Sequence, residues 1–423
     1  MPAPDLYVPL ADIDLSAPSF WAASQEFRES AFRTLRTEAP FQFFAEPIPL
    51  DQAFQRGPGY FALTRYDDVW HVSRNPQLFI SGKGSNIGDL PEFMLETLGS
   101  LINMDDPKHF RLRSIVAKGF TPKEVAKVEE YVKDKAALAI DRLLERFPDG
   151  ECDFVSEVAA TVPLQIICEM MGIPAEDEHQ IFLWTNTILG VGDPEYVTSM
   201  DDLMGALIGM GQYATELGQS RLSTPTDDIT SVMMAAEVDG ERMTTQEFAS
   251  FFILLVVAGN ETTRNAISWG AKLLTDNPVQ KQIWFDDFES GTRQAVEEIV
   301  RYATPVIHFR RTAAQDTEIN GQRIEAGQKV VMWYNSANRD ETKWADPYTF
   351  DVRREMAPQQ AGFGAGGPHF CLGANLARRE IAMVFDEIRR RVPDLHTTAE
   401  PDYLQSSFIH GIKRLPCAWT PPR

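Results

Sequence analysis

The run Phe363-Gly-Ala-Gly-Gly-Pro-His-Phe-Cys371-Leu-Gly373 leads directly into Ala374 to Arg391, whose apolar residues recur at helical spacing. Gly362, Gly364, Gly366 and Gly367 precede a single cysteine. Glycines at that density let a backbone come close to something flat. Cys371 falls at the start of the helix, where free N–H groups and the dipole favour an anion such as a thiolate. Two other readings are open here. A glycine-rich loop before a helix can cradle phosphate, but the Lys-Ser/Thr of a P-loop is missing and GAGGPH is not GxGxxG after a strand. A lone cysteine is also commonly no more than a small apolar residue.

A thiolate in an amide-lined loop suits one axial bond to a metal that other ligands already hold. Haem iron is such a metal, and a thiolate there pushes electron density that favours O–O cleavage.

Outward from this loop, helical signals dominate. Pro122 to Phe147 is amphipathic. Thr244 and Glu247 form a capping-box pattern ahead of a long apolar run. The pattern predicts a helix from Thr244 to Thr275, on the order of 45 Å long at 1.5 Å per residue. So long and apolar a helix must cross the interior. Its centre, Ala258-Gly-Asn-Glu-Thr-Thr263, is poor helix material. Gly costs up to about 1 kcal/mol relative to Ala, and a Thr hydroxyl competes for backbone carbonyls. Such a spot marks either function or close packing.

A further helix from about Thr292 to Thr304 carries Glu298 and Arg301, by spacing alone an ordinary ion pair. Strand-like runs then surround the Asn320-Gly321 turn: FRRTAAQDTEI, RIEAG and KVVMWY. The last helix, within LARREIAMVFDEIRRRVP, closes at Pro393. No repeat or linker divides the chain. The expectation is one domain over residues 1–423, mostly α with small β-sheets.

The cysteine loop resembles the haem-binding signature of the cytochrome P450 monooxygenases: Phe363, the glycines, His369 two before Cys371 and Gly373 two after. It departs from the usual spacing by one, with Phe363 eight residues before the cysteine instead of seven. That longer form is similar to the bacterial branch that oxidises methyl-branched lipids and sterol side chains. Glu298-Ile-Val-Arg301 matches the family's ExxR pair, which with Arg354 would form a structural charge network. Ala258 to Thr263 matches its oxygen-activation motif. The resemblance implies that Ala258 and Gly259 leave room for O2, that Thr262 donates a hydrogen bond there, and that Glu261 relays protons. It also implies heme b on Cys371, with Phe363, Gly364 and Gly373 around it and His109, Arg113, Arg311 and His369 on the propionates.

The same resemblance implies an O2-dependent monooxygenase fed by a separate ferredoxin and NAD(P)H-dependent reductase. A basic patch of Arg111, Lys118, Lys123, Arg378 and Arg379 is the expected docking face. Expected wall residues are Leu98, Ile102, Leu254, Val257, Val306 and Phe408, which suit an apolar lipid. The stretches ASFFILLVVAGNETTRN and SANRDE are similar to those of enzymes that hydroxylate the terminal methyl of branched-chain and isoprenoid lipids, with sterol side-chain hydroxylases next. An H2O2-driven peroxygenase would lack the Glu261-Thr262 pair, and a haem sensor or carrier would not need it. Segments Ser81 to Met104 and Phe182 to Arg221 are expected to form a movable cover.

Composition narrows the rest. Lys plus Arg is 40 against Asp plus Glu 61, a net charge of −21 that argues against nucleic acid or anionic membrane surfaces as partners. Hydrophobic residues at 43% and charged residues at 24% exclude global disorder. The strongest apolar run, Phe251 to Gly259, falls well short of the ~20 residues of a transmembrane anchor. The start, MPAPDLYVPLADIDL, has no basic region or apolar core, so no signal peptide is expected. Cys152, Cys168, Cys371 and Cys417 form no CxxC pair, which fits a reducing compartment. A cytoplasmic monomer is the expectation.

Overall fold

The computed structural model describes residues 4–49, 56–89, 100–120, 122–197, 199–238 and 240–421. The chain is mostly helical with small sheets, as its periodicity requires. A helix over Thr245–Asp276 runs through the middle. Its start is fixed by the capping box: Glu247 N–H donates to Thr244 Oγ1 at 3.1 Å, and Thr244 N–H donates back to Glu247 Oε2 at 2.9 Å. From Thr263 to Leu274 every residue is buried, because neighbouring helices cover that half on all sides. These neighbours include Thr161–Met171, Glu178–Leu189, Met200–Ser223, Phe288–Ala303 and Ala374–Arg391. Among the described residues, no helix is long and apolar enough to cross a membrane.

The helix expected from Thr292 begins a turn earlier, at Phe288. Phe288 stacks on Trp284 with ring centroids 5.2 Å apart, and that packing outweighs the poor propensity of Ser290 and Gly291. The Asn320-Gly321 turn joins Thr317–Ile319 to Gln322–Ile324, with both residues at positive φ (46° and 85°).

The largest sheet has the strand order Phe43–Phe44, Tyr60–Leu63, Lys329–Trp333, His308–Ala313, Phe79–Ile80. Tyr60–Leu63 pairs with Lys329–Trp333 in parallel, and the other pairs are antiparallel. Val330 and Met332 face one apolar cluster with Trp70 and Phe79. Val331 and Trp333 face another with Trp21, Phe32 and Tyr60. A strand buried on both faces reads as a continuous apolar run, which is how KVVMW appears.

Glu298 and Arg301 are fully buried and form a two-point ion pair, Nε to Oε2 at 2.7 Å and Nη2 to Oε1 at 2.8 Å. Arg354 Nε adds a third contact to Glu298 Oε1 at 3.1 Å. Arg301 Nη1 also donates to the carbonyls of Asn338 (2.8 Å) and Pro347 (2.9 Å). Asn338 Oδ1 in turn accepts from Ala361 N–H at 2.7 Å, two residues before Phe363. The ion pair is thus wired into the base of the cysteine loop.

Glu298→Ala leaves two guanidinium groups buried without their carboxylate, which costs ~3–5 kcal/mol. Urea denaturation of the variant should show that loss. A change below ~1 kcal/mol would mean that the network is not what holds this region.

Candidate active site

The cysteine loop is held by its glycines, though not in the way their density suggests. Gly364, Gly366 and Gly367 all have positive φ (89°, 76° and 75°). A Cβ on Gly367 would lie 2.1 Å from the Ser73 carbonyl, and one on Gly366 would lie 3.1 Å from the Trp70 ring. These two glycines therefore approach the helix Tyr66–Arg74, not a flat ligand. Gly364 and Gly373 are the open ones, with nothing closer than 3.8 Å, and both line a cavity. Cys371 N–H donates to Phe363 O at 3.0 Å, closing the loop, and the Arg378 guanidinium covers the Phe363 ring at 4.4 Å.

Cys371 faces this cavity from the start of the helix Ala374–Arg391. Burial pushes its thiol pKa up, opposed by the N–H groups of Gly373 and Ala374 and the charges of Arg378 and Arg113. The cavity holds about 1520 Å³ of empty space, its mouth included. Ala258, Gly259, Thr262 and Thr263 of the long helix also line it, with Leu254 and Leu255 one turn before. Thr262 Oγ1 donates to Ala258 O at 2.7 Å, so its hydroxyl loosens the helix ladder where the cavity begins.

A cationic cluster sits at one edge. Arg311, on the strand His308–Ala313, is buried and donates to the Arg310 carbonyl. Arg113, on Lys108–Ala117, donates to the Phe370 carbonyl at 2.7 Å. Neither has a carboxylate partner among the described residues, and burial lowers the pKa of both. The His109 and His369 rings lie 4.4 Å apart. His109 Nδ1 is 3.3 Å from Asp106, but its Nε2 is buried and unpartnered. His369 Nε2 is 3.1 Å from Ser81 Oγ. A buried Arg311 and a half-buried Arg113, neither with an acid, and the orphaned Nε2 of His109 fit a planar group that carries two carboxylates. Haem meets that requirement, and Cys371 would supply the sulfur that holds its iron.

Other expected residues divide. Ile102, Leu254 and Val306 line the cavity. Val257 does not: one residue, about 100° around the helix, turns it from the cavity stripe into the core. Phe408 does not either, its ring packing on His308 and Phe309 at 5.5 and 5.4 Å. Leu98 lies outside the described residues. Glu261 is buried but not on the cavity wall; it is paired with Arg264.

The basic patch is largely neutralised. Arg111 pairs with Glu247 and Glu241, Arg378 with Glu297, and Arg379 with Glu129. Lys118 donates to the Glu237 carbonyl, and the Lys123 side chain lies outside the described residues. Phe110, 65% exposed on the same helix as Arg111, is the unexpected feature of that face.

Glu380 was invisible among Arg378 and Arg379. It lies on the cavity face with Leu376, Ala377 and Ile381, and that i, i+1, i+4, i+5 spacing is the signal that marks it. Burial pushes its pKa up to about 8, only partly opposed by Thr263, and its Oε2 has no partner.

A family model described as Cytochrome P450 matches residues 291–391. The methyl-branched lipid omega-hydroxylase of Mycobacterium tuberculosis is 52% identical over 413 residues, covering 98% of this chain and 96% of that protein. The steroid C26-monooxygenase of Rhodococcus jostii is 38% identical over 405 residues, covering 95% and 83%. A Mycobacterium marinum cytochrome P450 structure in complex with pseudoionone superposes with a TM-score of 0.90 at 40% identity, covering 98% and 99%.

Three predictions come from this geometry. Glu380 has a folded pKa, about 8, above that of an unfolded carboxyl. Its contribution to stability is therefore full below the ordinary carboxylate range and is lost as pH rises through about 8. Glu380→Gln should flatten that fall in urea denaturation at stepped pH; parallel profiles would sink the assignment. Gly367→Ala should destabilise the fold by ~1–2 kcal/mol or more, from positive φ plus the Ser73 clash. Gly373→Ala should leave stability of the haem-free chain near wild type and weaken haem retention, followed by transfer to apomyoglobin.

Proposed function

Because the chain belongs to the cytochrome P450 family, at 52% identity to one curated member over 98% of its length, we propose that it hydroxylates the terminal methyl of a methyl-branched fatty acid or isoprenoid. One observation carries this reading. A single apolar cavity has Cys371 on one side and Ala258, Gly259 and Thr262 on the other. Its upper wall, Ile102, Ile167, Phe251, Leu254 and Val306, offers a chain no charged anchor. A ligand held only by apolar contact is selected by shape, so the end that reaches the centre is the end that fits. Of the two relatives, one is named as an omega-hydroxylase of methyl-branched lipid and the other as a C26-monooxygenase of steroid.

Heme b bound on Cys371 supplies the activation of O2 with two electrons and the insertion of one oxygen atom into an unactivated C–H bond. The protein's residues set the conditions. Burial raises the Cys371 thiol pKa, and the N–H groups of Gly373 and Ala374 oppose that shift and favour the anion that would bind the iron. Arg113, Arg311, His109 and His369 would hold the two propionates. Thr262 turns its hydroxyl from the Ala258 carbonyl into the cavity and orders a proton there, while the apolar wall keeps bulk water out. Glu261, one residue away, is the acid that resupplies that proton.

Electrons come from a separate ferredoxin with an NAD(P)H-dependent reductase. The ferredoxin docks where Phe110 is exposed next to Arg111 in the chain, with Arg379 as a second cation for its acids. The Arg379–Glu129 pair is half-exposed and exchanges readily for a partner's carboxylate, since such pairs are worth ~0–1 kcal/mol. We place the enzyme in the cytoplasm as a monomer. A sterol side chain is the second substrate reading, favoured by the 38% identical steroid relative.

Titrating the ferric protein with a branched isoprenoid acid, a straight-chain acid of equal length and a sterol tests this through the low-to-high-spin Soret shift. The branched acid should bind tightest. A tightest response to the sterol would transfer the assignment to side-chain hydroxylation, and no shift with any would remove the lipid class. Thr262→Ala should uncouple, releasing peroxide in place of product; tight coupling in that variant would overturn its role.

A further inference from the structure

The three-stranded sheet that holds the C-terminus brings together two cysteines that stand far apart in the sequence. Pro416–Ala418 lies between His396–Thr397 and Glu151–Asp153, and its antiparallel pairing with the latter sets Cys417 directly opposite Cys152. Trp419 N–H donates to the Gly150 carbonyl and Phe154 N–H to the Leu415 carbonyl, each at 2.9 Å. Those pairs flank the cysteines on either side by two residues, so the cysteines share their hydrogen-bonded kind of position. Pro416, which has no N–H to give, falls opposite Asp153 at the other kind. Cα atoms of a hydrogen-bonded pair are about 5.5 Å apart, within the roughly 4.4–6.8 Å that a disulfide spans.

Opposite residues place their side chains on one face of a sheet. Here that face is the core: Cys417 is buried, and the half-buried Cys152 packs against the same apolar cluster. Both are free thiols, and Cys417 is near enough to feel the charge of Cys152. The Cβ atoms of an opposed pair must close by about 1 Å to bond. Glu151–Asp153 is an edge strand of the sheet, so it can shift inwards without breaking a second ladder. Burial pushes the Cys152 pKa up to about 12 and raises that of Cys417 as well. Thiols so seldom ionised react slowly, but they are also slow leaving groups, and a bond between them persists.

We infer that Cys152 and Cys417 form an oxidation site, where hydrogen peroxide joins them in a disulfide that fastens the C-terminal strand to Glu151–Asp153. The half-buried Cys152 reacts first. Its sulfur attacks one peroxide oxygen: the S–O bond forms, the O–O bond breaks, and the departing hydroxide leaves as water with the thiol proton. The Cys417 sulfur then attacks the sulfur of this sulfenic acid. The S–S bond forms, the S–O bond breaks, and a second water carries off the Cys417 proton. The two thiols lose two electrons in all, and one peroxide gains them. Neither cysteine lines the lipid cavity.

The test treats the ferric holoenzyme with hydrogen peroxide, quenches with catalase, unfolds the protein in an alkylating reagent and digests it for mass spectrometry. Cys152→Ser, Cys417→Ser and Cys168→Ser are run in parallel. In the wild type the peptides of Cys152 and Cys417 should appear joined, with both thiols lost to alkylation, in material that runs as a monomer on a non-reducing gel. Cys168→Ser should give the same product, and the other two variants none. Amide exchange across residues 150–154 and 415–419 should slow on oxidation of the wild type and stay unchanged in Cys152→Ser. Cys152 recovered as a sulfinic acid beside an alkylated Cys417, or a disulfide between two molecules, would overturn the site. So would two intact thiols at the highest peroxide dose that leaves the helical circular-dichroism signal unchanged. A joined pair with unaltered exchange would overturn the fastening.

Discussion

One sulfur must be held at a fixed height over a flat group, in a place dry enough to keep it reactive, and the rest of the molecule serves that requirement. The Cys371 loop cannot shift, because Gly366 and Gly367 sit against Tyr66–Arg74 with no room for a side chain. Its base is tied through Ala361 and Asn338 to Arg301, and through Arg301 to Glu298 and Arg354. A buried ion pair seldom adds much net stability, but it has one geometry, and here that geometry is passed to the loop in two hydrogen bonds. The other side of the cavity needs the reverse property. The long helix is weakened at Ala258 to Thr263, so that one hydroxyl can leave its carbonyl.

Local chemistry was readable wherever a residue's neighbours lie close in the chain. The capping box at Thr244 and Glu247 set the long helix to within one residue, and Asn320-Gly321 set its hairpin. Cys371, Thr262, Arg113 and Arg311 all reach one cavity, as their motifs imply. What failed depends on distant packing. The density of glycines before Cys371 looked like an approach to a ligand, but two of them meet another helix. Val257 differs from Ala258 by a single step of rotation, a distinction that apolar character cannot make. Glu380 hid beside two arginines, since a buried acid and a solvated one look alike until the opposite wall is known. The basic patch was a set of cations whose acids, Glu129, Glu241, Glu247 and Glu297, come from elsewhere in the chain.

Charge is distributed with a purpose that the total conceals. A net −21 surrounds a cavity edge where Arg113 and Arg311 meet no carboxylate among the described residues. An acidic exterior repels anionic surfaces, while the interior keeps the arginines that an anionic cofactor would need.

The parallel pairing of Tyr60–Leu63 with Lys329–Trp333 has a further effect, on the order in which the molecule is made. Those partners are separated by most of the chain, so the central sheet cannot close until the second of them has been synthesised. Contacts this remote in sequence carry a heavy loop-closure cost and fold slowly. Arg311 rides on the strand beside Lys329–Trp333, and Cys371 comes later still. The pocket that joins Arg311 to Cys371 therefore cannot be complete until most of the chain has been synthesised.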